Sequence, residues 1–217
     1  MRTLTNSARL CRMLLPSLLL ATALPVLAEP NDKAEPAAEY TLQVNGNKLP
    51  LTLGNEVASK VAGQLIRFKL TRQPFREFNK SGVQFQYPVN YGFEVDDSDP
   101  SVTVWTVSGG DSILMLNRFS KMPLPELSSD IIGEITKQFG AKNVVVTPLT
   151  LYLKGRNIAG KRLNITLAGQ KLVQDIFAFG TAKNSFVLVI QDVPTNGKPS
   201  AENTKLKVLL TQSLKWK

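Results

Sequence analysis

Gly155-Arg156-Asn157-Ile158-Ala159-Gly160-Lys161 carries the glycines and the lysine of a phosphate-binding loop at the right spacing. In such a loop, backbone N–H groups cradle the phosphates and the following Ser or Thr holds Mg²⁺. Arg162 stands where that hydroxyl is required. The flanks also disagree, because a phosphate loop runs from a strand into a helix. Here Leu151-Tyr152-Leu153 before it and Leu163 to Leu167 after it both read as strands. The segment is therefore expected to be a glycine-rich hairpin loop.

Three further acidic or basic groupings suggest chemistry. Asp96, Asp97 and Asp99 match a calcium loop only in part, since that loop needs Gly at its sixth position and Glu at its twelfth. Counted from Asp97 those places hold Val102 and Ser108, and from Asp96 they hold Ser101 and Val107. A solvated turn is the expected reading. Glu126, Asp130 and Glu134 lie at i, i+4 and i+8, and paired carboxylates can hydrolyse glycosides at the right separation. The adjoining stripe of Leu127, Ile131 and Ile135 must face a core, which turns the carboxylates to solvent. Arg67, Lys69, Arg72 and Arg76 cluster in one section, and Lys154, Arg156, Lys161 and Arg162 around one loop. Brought together, these eight would form an anion-binding face; otherwise they are the solvated side of a sheet. Trp105 and Trp216 read as packing residues.

Composition removes most other chemistry. The sequence has no histidine and one cysteine, Cys11. Ser-His-Asp and Cys-His arrangements and histidine metal sites are excluded. Thiolate catalysis and cysteine-held zinc or iron–sulfur clusters go with them, because Cys11 lies in a segment expected to be removed. Carboxylates, Lys, Tyr, Ser and Thr remain. No Ser-x-x-Lys occurs, and no catalytic residue, metal ligand or cofactor is assigned.

The elements that would position these residues follow from periodicity. Arg2, Arg9 and Arg12 precede an apolar run from Leu14 to Leu27, and Val26-Leu27-Ala28 ends in small or branched residues. This is the order of a secretory signal peptide, 1–28, and the run is shorter than a bilayer span. The mature chain is thus expected in a periplasm or secreted, with no transmembrane segment. Of 26 basic residues three lie in that leader, leaving 23 against 17 acidic. That balance favours anionic neighbours, and no nucleic-acid motif appears. Residues 29–39 read as a disordered linker.

Asn45-Gly46 between alternating apolar residues predicts a hairpin, with Pro50 placing its second strand at an edge. Val57, Val61 and Leu65 are spaced for a short helix, and Ile66 to Leu70 for a strand. Strands are expected at Val83–Tyr87, Tyr91–Val95, Val102–Val107 and Ile113–Phe119. A helix with Leu127, Ile131, Ile135 and Phe139 inward starts near Pro125 and stops at Gly140. Strands follow at Val144–Thr147, Thr150–Lys154, Leu163–Leu167, Ile176–Phe179 and, centrally, Phe186–Ile190. A last helix begins at Ser200 and buries Leu206, Leu209, Leu210 and Leu214. The expected class is α+β: a curved antiparallel sheet with flanking helices, 81–217, plus an N-terminal hairpin, helix and strand extension, 40–80.

Gly82-Val83-Gln84-Phe85-Gln86-Tyr87-Pro88, with Tyr91 after it, resembles the opening strand of the PsbP-like and DcrB-like superfamily. The element order from about 81 to 217 is similar as well. The resemblance implies a central antiparallel sheet flanked by helices and an accessory or binding role, with no shared catalytic set. The expected function is an exported, non-catalytic accessory protein that binds an envelope protein or anionic envelope component. The alternatives are a carrier of an anionic or amphipathic molecule such as a lipid, which needs a deep apolar pocket with a basic mouth, and a carboxylate- or Tyr/Lys-based enzyme.

Overall fold

The computed structural model describes residues 39–217; the expected leader and almost all of the linker lie outside them. The described residues fall into two compact units that part between Pro74 and Phe75. The first holds two hairpins, β1 (Glu39–Val44) with β2 (Asn47–Thr52) and β3 (Glu56–Val61) with β4 (Gln64–Lys69). Asn45 and Gly46 both take positive φ, the geometry of the predicted tight turn.

The helix expected from Val57, Val61 and Leu65 is absent, and the β3–β4 hairpin occupies that stretch. Its turn is Ala62-Gly63, again with positive φ at both residues. Glycine adopts that backbone at no steric cost and alanine does not. The pair is therefore a weak turn signal, easily outweighed by the spacing of three apolar residues.

The second unit begins with β5 (Phe75–Lys80) and β6 (Val83–Pro88), then β7 (Gly92–Asp96), β8 (Val102–Ser108) and β9 (Ser112–Ser120). Helix α1 (Leu124–Phe139) and a single 3-10 turn (Ala141–Asn143) follow. Next come β10 (Val144–Leu153), β11 (Arg156–Leu167), β12 (Gln170–Gly180) and β13 (Asn184–Asp192), then α2 (Ala201–Ser213) and β14 (Lys215–Trp216). One seven-stranded sheet runs in the order β10-β11-β12-β13-β9-β8-β7, antiparallel throughout. A second sheet has the order β14-β6-β5.

Because side chains alternate along a strand, the large sheet has two faces to cover. On β13, Phe186, Leu188 and Ile190 enter one core while Val187 and Val189 enter the other. This explains a run with no polar alternation. The first core is closed by Phe78, Val83, Phe85 and Tyr87 of the small sheet together with Leu206, Leu210 and Leu214 of the C-terminal segment. The second is closed by Leu127, Ile131 and Ile135 of α1.

The expected α+β class is thereby corrected. Among the described residues there are fourteen strands and two α-helices, and the seven-stranded sheet dominates a mostly β molecule. Much of the cover on one face is itself a sheet. The strands expected at Val144–Thr147 and Thr150–Lys154 are one, since Pro148 sits in an edge strand, where a missing N–H is tolerated. The expected loop around Gly155 is only the two-residue turn Lys154-Gly155, and Arg156 already begins β11. The first helix starts and stops where expected. The second starts where expected but ends at Ser213, with Leu214 buried beyond it and Leu209 only half-buried. Pro lies in the first turn of α1 and Gly140 follows its end at φ 82°. Ser200 caps α2 by accepting from the Asn203 N–H at 3.0 Å.

Two glycines should respond oppositely to alanine. A Cβ on Gly160 would run into the Ile176 carbonyl oxygen and the Phe177 ring on β12. Gly160→Ala is expected to cost ~1–3 kcal/mol, the usual penalty for overpacking. Gly133, inside α1, has nothing within 4 Å of its Cβ position. Gly133→Ala is expected to add ~1 kcal/mol of helix propensity. Urea unfolding of both variants checks the pair of signs.

Candidate functional site

Most buried charge in the second unit collects between the large sheet and α2. Asp175 on β12 lies directly opposite Arg162 on β11. Its side chain is 2% exposed and accepts from Arg162 Nε at 2.7 Å and Nη2 at 2.8 Å. Lys207 of α2 donates to the second oxygen at 2.6 Å. Burial pulls the Asp175 pKa upward, but the hydrogen bonds and charges of Arg162 and Lys207 outweigh it and hold the carboxyl below its ordinary value. A carboxylate held ionised by two cations is a poor proton carrier. This cluster fastens α2 to the sheet.

A second set of bonds holds the start of the same helix. The Ser200 N–H donates to both oxygens of Asp192 at 3.3 Å. Glu202 accepts from the N–H groups of Asp111 at 2.7 Å and Ser112 at 3.2 Å, clamping the β8–β9 turn. The approach is so close that a Cβ on Gly109 would lie 2.5 Å from the Glu202 carboxylate and 2.8 Å from the Tyr91 ring. The Tyr91 hydroxyl is buried and makes no hydrogen bond, and the same is true of Asn203 Oδ1. Burial first, then the charge of Glu202, pushes the Tyr91 pKa up to about 12. Ser112 tempers the rise although it stands outside hydrogen-bond geometry.

The eight basic residues singled out in the sequence divide between the units. Arg67, Lys69 and Arg72 belong to the first, where Arg67 meets Glu56 at 2.7 Å. Arg76, Lys154, Arg156, Lys161 and Arg162 belong to the second. Arg162 turns inward to Asp175, so Lys161, its neighbour on the strand, points to the opposite face. Arg156 lies 4.1 Å over the Trp216 ring, which in turn packs on Phe179 at 4.6 Å. That stack was invisible in the sequence because Arg156 and Phe179 lie far from Trp216 along the chain. Trp105 packs edge-on to Phe78 at 5.3 Å, with Arg118 over it at 5.7 Å.

The acidic groupings are occupied locally. Asp96 and Asp99 accept from the N–H and hydroxyl of Ser98 and Ser101, closing successive turns. Glu126 and Asp130 stand exposed on α1. A cleft of about 480 Å³ between β2 and β3 is lined by Pro50 to Thr52 and Asn55 to Val57, and the charge on its wall is the acidic Glu56.

Exposed apolar side chains concentrate on the edge strand β10. Val145 is 61% exposed, Val146 41% and Tyr152 70%. Its outer rim of backbone groups has no neighbour in the large sheet.

No family model matches the chain, and no curated protein matches it. Among solved structures, a crystal structure from Bacteroides thetaiotaomicron VPI-5482 is similar, at 13% identity and TM-score 0.40, over 67% of this chain and 49% of that one. The chain thus spans about half the length of that protein, and a likeness of this size carries no argument about fold or role. No helix among the described residues is long and apolar enough to cross a membrane.

Asp175→Asn removes the shared anion and leaves two cations facing each other. Removing one partner of a buried pair typically costs ~3–5 kcal/mol. The lower end is expected here, because Arg162 and Lys207 keep 35% and 27% of their side chains in water. Since the folded pKa is depressed below the ordinary 3.8, the contribution is complete above that pH and is lost as pH falls through the folded value. Urea titrations of both proteins across the acid range should converge only at the acid end. Tyr91→Phe deletes an unsatisfied buried hydroxyl and is expected to raise stability by about 1 kcal/mol. In ultraviolet titration of the native protein, one of the four tyrosines should ionise late, at about 12, and that step should vanish in Tyr91→Phe.

Proposed function

We propose that this chain is an exported, non-catalytic accessory protein of the cell envelope, and that a partner protein adds to it along β10. The observation carrying this reading is the edge strand itself. An exposed apolar edge is a template for another strand, with backbone bonds giving affinity and side-chain pockets giving selectivity. Val145 and Val146 present β-branched surface on both faces at its start. Pro148 offers no N–H, so an added strand would forgo at most one backbone bond at that position. The leader-like order of residues 1–28 supports export. The resemblance of Gly82 to Pro88 to the PsbP-like and DcrB-like opening strand supports an accessory role.

A photo-crosslinking residue placed at Val145 in growing cells tests this. The expected result is one discrete protein adduct in the envelope fraction, reduced at least tenfold by Val146→Glu. The same probe at Val208, exposed on α2, should give none. Adducts confined to the cytosol sink the export reading. A probe at Val145 that captures no protein, from material carrying a bound species of a few hundred daltons, replaces the accessory reading with that of a carrier.

A further inference from the structure

The antiparallel order of the large sheet brings one set of chain turns to the same end. β10 ends there and β11 begins, β12 ends and β13 begins, β9 ends and β8 begins. The small sheet reaches that end too. Lys217 donates its N–H to the Gly82 carbonyl at 3.2 Å, and a Cβ on Gly82 would touch Thr181 of the β12–β13 turn. Lys121 Nζ donates to the Thr181 carbonyl at 2.7 Å. Arg118 donates to the Ser81 hydroxyl at 3.2 Å.

Cations from five separate segments are therefore gathered on one surface: Lys80, Arg118 and Lys121, Lys154 and Arg156, Lys183, and Lys215 with Lys217. The lysines among them are all exposed. Two aromatic side chains lie at this end, on opposite faces of the large sheet. Trp216 is half-buried, held between Arg156 and Phe179. Tyr152, 70% exposed, adjoins the Lys154 turn. The acidic residues of this end, Asp96, Asp97 and Asp99, stand at the β7–β8 turn, on the far margin of the sheet from β10. Glu126 opens α1.

We infer that this end of the 75–217 unit docks on the anionic headgroups of a lipid leaflet. Three features select a leaflet over a discrete anion. Lys154 and Lys183 stand in turns and Lys80, Lys121, Lys215 and Lys217 beside or near chain ends at the same level, which presents charge to a plane. Lysine predominates, a point charge suited to diffuse attraction and not to bidentate capture. Tyr and Trp among the lysines are the side chains that settle at a headgroup boundary, with an apolar body and a polar tip. The surface is separate from the Val145 end of β10, so a protein partner and a leaflet can be engaged together.

The test uses the full chain and vesicles of phosphatidylcholine with and without phosphatidylglycerol. Vesicles of phosphatidylcholine alone measure any contribution of the apolar leader. Anionic vesicles should bind more tightly, lose that advantage at high salt, and shift the emission of Trp216 to the blue, over a constant contribution from the buried Trp105. Each cation near an anionic surface contributes about fivefold. The triple variant Lys154→Gln, Lys183→Gln, Lys215→Gln should therefore bind about a hundredfold more weakly. Lys142→Gln, Lys171→Gln, Lys198→Gln removes the same charge from the opposite end and should bind as the parent does. Equal losses in the two triple variants overturn the proposal. So does binding to soluble polyglutamate with no response to anionic vesicles. The assay contains no partner protein, so its failure leaves the β10 reading standing, and failure of the crosslink leaves this one standing.

Discussion

The structure depends on one geometric demand: the central strands of the seven-stranded sheet are apolar on both faces, so both faces must be covered. β13 shows it most plainly. Five consecutive side chains, Phe186 to Ile190, are each at most 1% exposed. Fully burying a side chain of that size is worth ~1.5–3 kcal/mol, so leaving either face open would forfeit several such contributions at once. α1 meets the demand on one side. On the other, α2 shares the work with a small sheet whose strands β5 and β6 precede the large sheet in the chain while β14 follows it.

Helix α2 is a cover that has to be secured. Its buried stripe is narrow, essentially Leu206 and Leu210, with Asn203 buried in the first turn. The Asp175 cluster, the Asp192 and Glu202 bonds and the Ser200 cap supply the rest. Ion pairs of this type do little to raise stability relative to an apolar equivalent, because desolvation offsets their attraction. Their geometric effect is different in kind. Arg162 pairs Asp175 within the sheet, whereas Lys207 reaches the same carboxylate from α2. The Lys207 bond therefore favours one placement of a helix that a narrow apolar stripe would leave free to slide.

Much of this was legible in the sequence where a single local rule sufficed. The helix from Leu124 to Phe139 has proline, glycine and a four-residue repeat in agreement, and composition alone marks β13 as central. Legibility failed where tertiary context overrode the local signal. Val57, Val61 and Leu65 have helical spacing, yet an Ala-Gly turn folds them into a hairpin. Pro148 suggests a break that an edge strand does not need. Gly160 and Lys161 imitate a phosphate loop, but Gly160 is required because the Phe177 ring crosses over it. For the candidate sites, the residue types were visible and their partners were not. Nothing in the sequence pairs Arg162 with Asp175, thirteen positions on, or brings Arg156 to Trp216. Those contacts arise from the β11–β12 register and from the return of the C-terminus to β6.

That return has a kinetic side. β6 and β14 are far apart in the chain, yet Val83 lies opposite Trp216. Hairpin pairing can assemble β7 to β9 and β10 to β13 as the chain emerges, but the junction of β9 with β13 is itself non-local. One face of the sheet stays only partly covered until α2 and β14 arrive. Non-local closure of this kind is slow and leaves apolar surface open meanwhile. A chain delivered N-terminus first, from a ribosome or through a narrow pore, would cross as an unfinished sheet and lock only after its last residues were through.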